Sequence, residues 1–234
     1  MTTSLLNSLL RALLRWGAAL VFCLPLRHRS HFWARACGML FPLLLLAQLL
    51  DPLAQSTTLW QQQLLLLVLY ISFFALLGGM IYLCTDINKK GALYCAVWSL
   101  LIAQCAYESW CFLELQFTRY GHPLNMASPW AVLVQLLSGA VFFAAVYILL
   151  ARQLPYKGEY NIGPRQLFSA FFIGILFMVQ AAVLDNARTE HTPLSLTVTI
   201  LIGQFYFITL LYFQSELFKK SAMEKEMSEL NLLY

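Results

Sequence analysis

The sequence predicts an all-α membrane protein, a bundle of about seven transmembrane helices with a C-terminal cytosolic helical extension. Three observations carry that prediction. Of the 234 residues, 60% are hydrophobic and 11% charged, whereas soluble domains carry about 25% charge; a soluble fold of this size would lack the polar groups to cover its surface. The apolar residues fall into stretches of roughly 20, the length a helix needs to cross a hydrocarbon core. The basic residues gather in alternate breaks between those stretches. Lipid offers no water to pair backbone groups, and no alternating ten-residue pattern of a membrane barrel occurs, which leaves helices. Residues 1–214 read as the multi-span domain and 215–234 as the extension.

The first span, 4–26, is interrupted by Arg11 and Arg15. No small-x-small cleavage site follows its apolar run; Arg27, His28 and Arg29 come instead, so it reads as a retained helix rather than a secretory signal. The second span, 32–50, is closed by Asp51-Pro52. The third, 59–83, contains Gly78-Gly79, small residues that serve helix packing in membranes. Asp86 to Gly91 separates it from the fourth, 91–113. The outer loop Glu114 to Pro129 is the longest and the first choice for touching an external ligand, with Arg119 and Tyr120 its candidate contacts. The fifth span covers 129–151, the sixth 165–184 and the seventh 193–214, separated by Pro155 and Gly158 and by Asp185 to Pro193.

Charge gives the spans a direction. Arg27, Arg29 and Arg35, Lys89 and Lys90, Arg152, Lys157 and Arg165, and Lys219, Lys220 and Lys225 all fall on one side; Arg119 and Arg188, with Arg11 and Arg15, are all the other side can claim. The positive-inside rule places the amino end outside and the carboxyl tail in the cytoplasm. The aromatic residues Trp60, Trp110, Tyr120 and Trp130 near the outer boundaries read as interfacial anchors.

From Glu216 onward the composition changes. There is no Gly or Pro, charges are frequent, and Met223, Met227, Leu230 and Tyr234 follow the 4-3-4 spacing of a coiled-coil seam. With no breaker after the seventh span, one helix is expected to run from membrane to cytosol, and its stripe is expected to pair two copies of the chain.

Chemistry-bearing motifs are sparse. His28, His31, His122 and His191 lack metal-site spacing, and no phosphate-binding Gly-rich loop or GxSxG occurs. The cysteines, Cys23, Cys37, Cys84, Cys95, Cys105 and Cys111, form no CxxC and read as small packing residues. No catalytic residue, metal or cofactor is expected, and no Lys/Arg run is dense enough for nucleic acid. The span 193–214 holds no lysine, which excludes a retinal pigment. The informative group is Glu108, with Gln104 one turn before it, because ionisable side chains at membrane depth are expensive and often functional. Counting from the span ends at 1.5 Å per residue, Glu108 lies ~7.5 Å below the outer boundary and Arg11 ~22 Å above the inner one, similar depths in a ~30 Å core. Glu108 is therefore expected to pair with Arg11 or Arg15, either to hold the first helix in the bundle or as the polar floor of a cavity open to the outside. Gln104, Gln135, Gln180 and Gln204 read as interhelical hydrogen-bonding groups.

Three stretches carry a family resemblance: Pro25 to Arg35, a basic aromatic hinge; Ala92 to Trp98, continuing through Gln104 and Tyr107; and the exit Glu216 to Tyr234. Together they resemble the membrane half of bacterial GHKL-type sensor histidine kinases, the group that includes peptide receptors of the accessory gene regulator type. The resemblance implies a bacterial cytoplasmic membrane location, an extracellular ligand that is often a small peptide, and a last span whose movement is passed through a coiled coil to a phosphoacceptor histidine and an ATP-binding domain. Neither of those last two has a counterpart in these residues, so the chain itself is not expected to be an enzyme; it reads as a piece of a kinase or as a kinase-less relative. The alternative is a small transporter or transporter subunit, although ordered acidic groups and matching broken helices are missing.

Overall fold

The computed structural model describes residues 2–54, 59–119, 129–155, 160, 162–187 and 194–231. The elements, in chain order, are α1 (Thr2–Cys23), α2 (Phe32–Gly38), α3 (Leu40–Ala54), α4 (Leu59–Cys84), α5 (Lys89–Arg119), α6 (Pro129–Val146), a π-helical turn (Tyr147–Ala151), α7 (Pro164–Ala187) and α8 (Leu194–Asn231). No strand occurs among the described residues; a single antiparallel bridge joins His28 to Thr85. Pro129 and Pro164 open α6 and α7, where the missing N–H has no helical partner to lose.

Among the described residues, four helices are long and apolar enough to cross a membrane: α4, α5, α6 with its π turn, and α8. The segments Phe32–Gln48 and Pro164–Gln180 are shorter apolar helices. The expected second span is broken: α2 ends at Gly38, and α3 begins after Met39. Its expected stop at Leu50 is also overrun, because Pro52 lies only two residues before the end of α3 and deprives the helix of one bond. The loop expected to start at Glu114 is helical up to Arg119. No Gly or Pro intervenes before Gly121, and α5 simply continues.

α5 is the axis of the bundle and packs against α1, α4, α6, α7 and α8. Of its apolar window 72% is buried inside the protein, against 11% for α6. Tyr94 to Ala106 is a continuous buried run, with Phe22 of α1 against Trp98 at 5.9 Å between ring centroids. A helix that is apolar on every side suits burial in protein or in lipid alike; here the surroundings are protein. Small residues permit close approach: a Cβ on Gly174 of α7 would stand 3.2 Å from Val97 of α5. Cys23, Cys84, Cys95 and Cys105 pack in this core as free thiols, whereas Cys37 is exposed and packs nothing.

The basic end is tied together by its loops. The Arg29 N–H donates to the Cys84 carbonyl (3.0 Å) and the Asp86 N–H to the Arg27 carbonyl (2.9 Å). Arg35 Nη1 donates to the Leu83 carbonyl at 2.8 Å, satisfying an orphan carbonyl in the last turn of α4. Arg29 adds an ion pair with Asp86 at 3.7 Å and lies over the Tyr82 ring. α8 leaves the bundle through two contacts: Gln214 Nε2 donates to the Gln166 carbonyl at 3.3 Å, and Lys219 Nζ to the Gln153 carbonyl at 2.9 Å.

Candidate functional site: a polar cluster inside the bundle

Helix geometry sets two rows of polar groups against each other. Arg11 and Arg15 are one turn apart on α1; Gln104, Tyr107 and Glu108 share a face of α5 by the same i, i+3, i+4 rule. Tyr70 and Phe73 of α4 close the third side. Glu108 is only 2% exposed and Arg15 8%. Gln104 Nε2 donates to Glu108 Oε1 at 3.0 Å. Arg11 Nη2 donates to the Tyr107 hydroxyl at 2.8 Å, with its guanidinium 4.8 Å from that ring's centroid. The Arg15 guanidinium lies 3.9 Å above the Phe73 ring. Arg11, Arg15, Tyr70, Tyr107 and Glu108 each have further interactions beyond these.

Arg11, Arg15, Tyr70, Gln104 and Tyr107 enclose a cavity of about 20 Å³. That suffices for a single water, which needs roughly 10–15 Å³ and two to four polar partners. A second polar cavity of about 90 Å³ lies beyond Arg11 and Tyr107, lined also by Leu10, Trp110, Cys111, Glu114 and Gln135. The arrangement puts positive and negative charge close together in a low-dielectric interior, where each strengthens the other's local hydrogen bonds. Among the described residues no group of three or more His, Cys, Asp and Glu is placed to hold a metal ion.

The cluster brings together four of the residues singled out in the sequence: Arg11, Arg15, Gln104 and Glu108. Arg119 ends α5, but its side chain and all of Tyr120 lie outside the described residues. Met223, Met227 and Leu230 are exposed along α8, while Tyr234 lies outside the described residues. Two readings are corrected. Trp110 is 3% exposed and faces the bundle, so it is no interfacial anchor; Trp130 is 65% exposed, and the Trp60 side chain and all of Tyr120 fall outside what is described. The span glutamines do not bridge helices as expected: Gln104 donates within its own helix, and Oε1 of Gln135, Gln180 and Gln204 has no hydrogen-bond partner among the described residues. Tyr70, Phe73, Tyr107, Glu114 and Gln135 join the polar region without having been singled out as site residues. Tyr107 carried a signal in its i+3 spacing from Gln104, and Gln135 in being a glutamine inside a span. Tyr70 and Phe73 sit in an aromatic run that reads as ordinary lipid-facing sequence.

Compared with family models, curated proteins and solved structures, the chain matches none.

Proposed function

We propose that the chain is the membrane sensor region of a bacterial two-component signalling protein, resembling the GHKL-type peptide receptors. In this reading it crosses the cytoplasmic membrane seven times, through α1, α2–α3, α4, α5, α6, α7 and α8, with the amino end outside. An extracellular ligand, a peptide as in that family, acts near Glu108, Gln104, Arg119 and Tyr120, and α8 passes the change to a kinase module carried outside this chain. Two copies pair through Met223, Met227, Leu230 and Tyr234.

One observation carries the reading. α8 is a single helix of 38 residues, Leu194–Asn231, apolar at its start and charged and exposed at its end. A helix without a break transmits rotation and translation along its length, which a mere membrane anchor has no need to do. The test is a one-residue insertion at Ser221 in a fusion of the tail to a histidine kinase core. It rotates everything downstream by about 100°, so kinase output is expected to invert or collapse, and to recover when the insertion is extended to seven residues. Unchanged output with the single insertion would refute coupling through α8.

A transporter is the second reading, favoured only by the buried Gln104–Glu108 pair beside a water-sized cavity. It requires substrate uptake into vesicles that Glu108→Gln abolishes.

A further inference from the structure

The 90 Å³ polar cavity has a neighbour. An apolar groove of about 600 Å³ runs between the same three helices, α1, α5 and α6, lined by Leu14, Ala106, Leu113, Val134, Phe142 and Ala145 among others. The two share Trp110 and Gln135. α1 and α6 carry the groove further along than the cavity, while on α5 the two lie side by side. The cavity takes Leu10 and Arg11 from α1 where the groove takes Leu14; on α5 the cavity is lined from Tyr107 to Glu114 and the groove from Ala106 to Leu113. On α6 the cavity takes Gln135, ~9 Å from Pro129, and the groove extends to Ala145, ~24 Å in. The groove begins beside the cavity, at Leu113 and Val134, and continues past it along α6.

The cavity is polar beyond what the protein itself uses. Trp110 and Gln135 are 3% and 4% exposed, and among the described residues neither Trp110 Nε1 nor Gln135 Oε1 has a hydrogen-bond partner. A buried donor and a buried acceptor left unsatisfied cost about 1–3 kcal/mol each, a cost that an occupant offering both functions would relieve. Its charges are of both signs: Arg11 on α1 and Glu114 on α5, with the mouth formed by the partly exposed Cys111 and Glu114.

We infer that cavity and groove together bind one phospholipid with an ethanolamine head, taken from the leaflet at the amino end of α1. Its phosphate faces the Arg11 guanidinium and accepts from Trp110 Nε1. Its primary ammonium donates to Glu114 and to Gln135 Oε1. One acyl chain descends the groove between α5 and α6, and the glycerol backbone remains at the open mouth. The charges select the head: a choline ammonium has no N–H to give and is wider, and a glycerol head brings no cation to Glu114. The inference requires only that α1, α5 and α6 cross the membrane; it stands or falls independently of signalling.

The test uses the full chain in nanodiscs containing equal mole fractions of phosphatidylethanolamine, phosphatidylcholine and phosphatidylglycerol, followed by extraction into mild detergent and native mass spectrometry of the retained lipid. Phosphatidylethanolamine is expected to be retained at least tenfold over the other two. Glu114→Gln, at the partly exposed mouth, is expected to abolish that preference while lipid is still retained. Ala145→Trp, which fills the groove from the lipid-facing side, is expected to lower retention of all three with helical content unchanged. Equal retention of the three lipids by the unaltered chain, or a preference that survives Glu114→Gln, overturns the assignment.

Discussion

Glu108 shows what one residue does to a membrane bundle. It accepts from the Gln104 amide in a site that excludes both lipid and bulk water, with two guanidinium groups on the facing helix. Replacing it by leucine strands the Gln104 donor and leaves the positive charges of Arg11 and Arg15 without that carboxylate nearby. Glu108→Leu is expected to lower stability by at least about 2 kcal/mol, read as a drop in thermal midpoint in nanodiscs. Glu108→Gln, which keeps an acceptor, is expected to cost clearly less. Equal losses would mean that shape, not polarity, holds the cluster. This part of the site was legible in the sequence because ionisable residues stand out against an apolar background. The rest was not. Trp110 and Gln135 look like an anchor and a helix-bridging amide until packing shows both turned toward one cavity, and no local pattern tells a buried aromatic from one facing lipid.

At the scale of elements, the existence of the helices followed from apolar length, but their ends depended on packing. The last turn and a half of α5 was missed because Glu114 and Arg119 resemble loop residues by charge, although the backbone had no reason to stop there. α8 was anticipated as one rod because nothing in its sequence breaks it. That α5 is enclosed while α6 stands almost outside the bundle follows their composition: the span of α6 is the more apolar, with a mean hydropathy of 2.3 against 1.2 for α5. α6 is held to α1 where Gly17 leaves room for Phe143: a Cβ there would come within 2.9 Å of Phe143 Cε2. Gly17→Val is therefore expected to push α6 outward at a cost of about 1–3 kcal/mol. Cysteine pairs placed between α1 and α6 should crosslink more slowly in that variant, while pairs between α4 and α5 keep their rate.

For the whole molecule, the proposed topology orients every helix at once from the charge distribution, and the exposed thiol offers a direct check. Cys37 is the exposed cysteine, next to the basic loop. In a Cys111→Ser background, an impermeant maleimide is expected to leave intact cells unlabelled and to label inverted vesicles at Cys37; labelling of intact cells would reverse the topology. Dimerisation is likewise open to measurement: Met227→Cys is expected to form a disulfide-linked dimer under mild oxidation, and Glu226→Cys, off the stripe, far less. The contact between Lys219 and the Gln153 carbonyl has a mechanical corollary. It grips α8 part-way along, with ~37 Å of rod behind it to Leu194 and ~18 Å ahead to Asn231 at 1.5 Å per residue. A stiff rod held at such a fulcrum is a seesaw with unequal arms. A sideways push at its far membrane end arrives at the tail tip about half as large and in the opposite direction, so the tail tip trades distance for force.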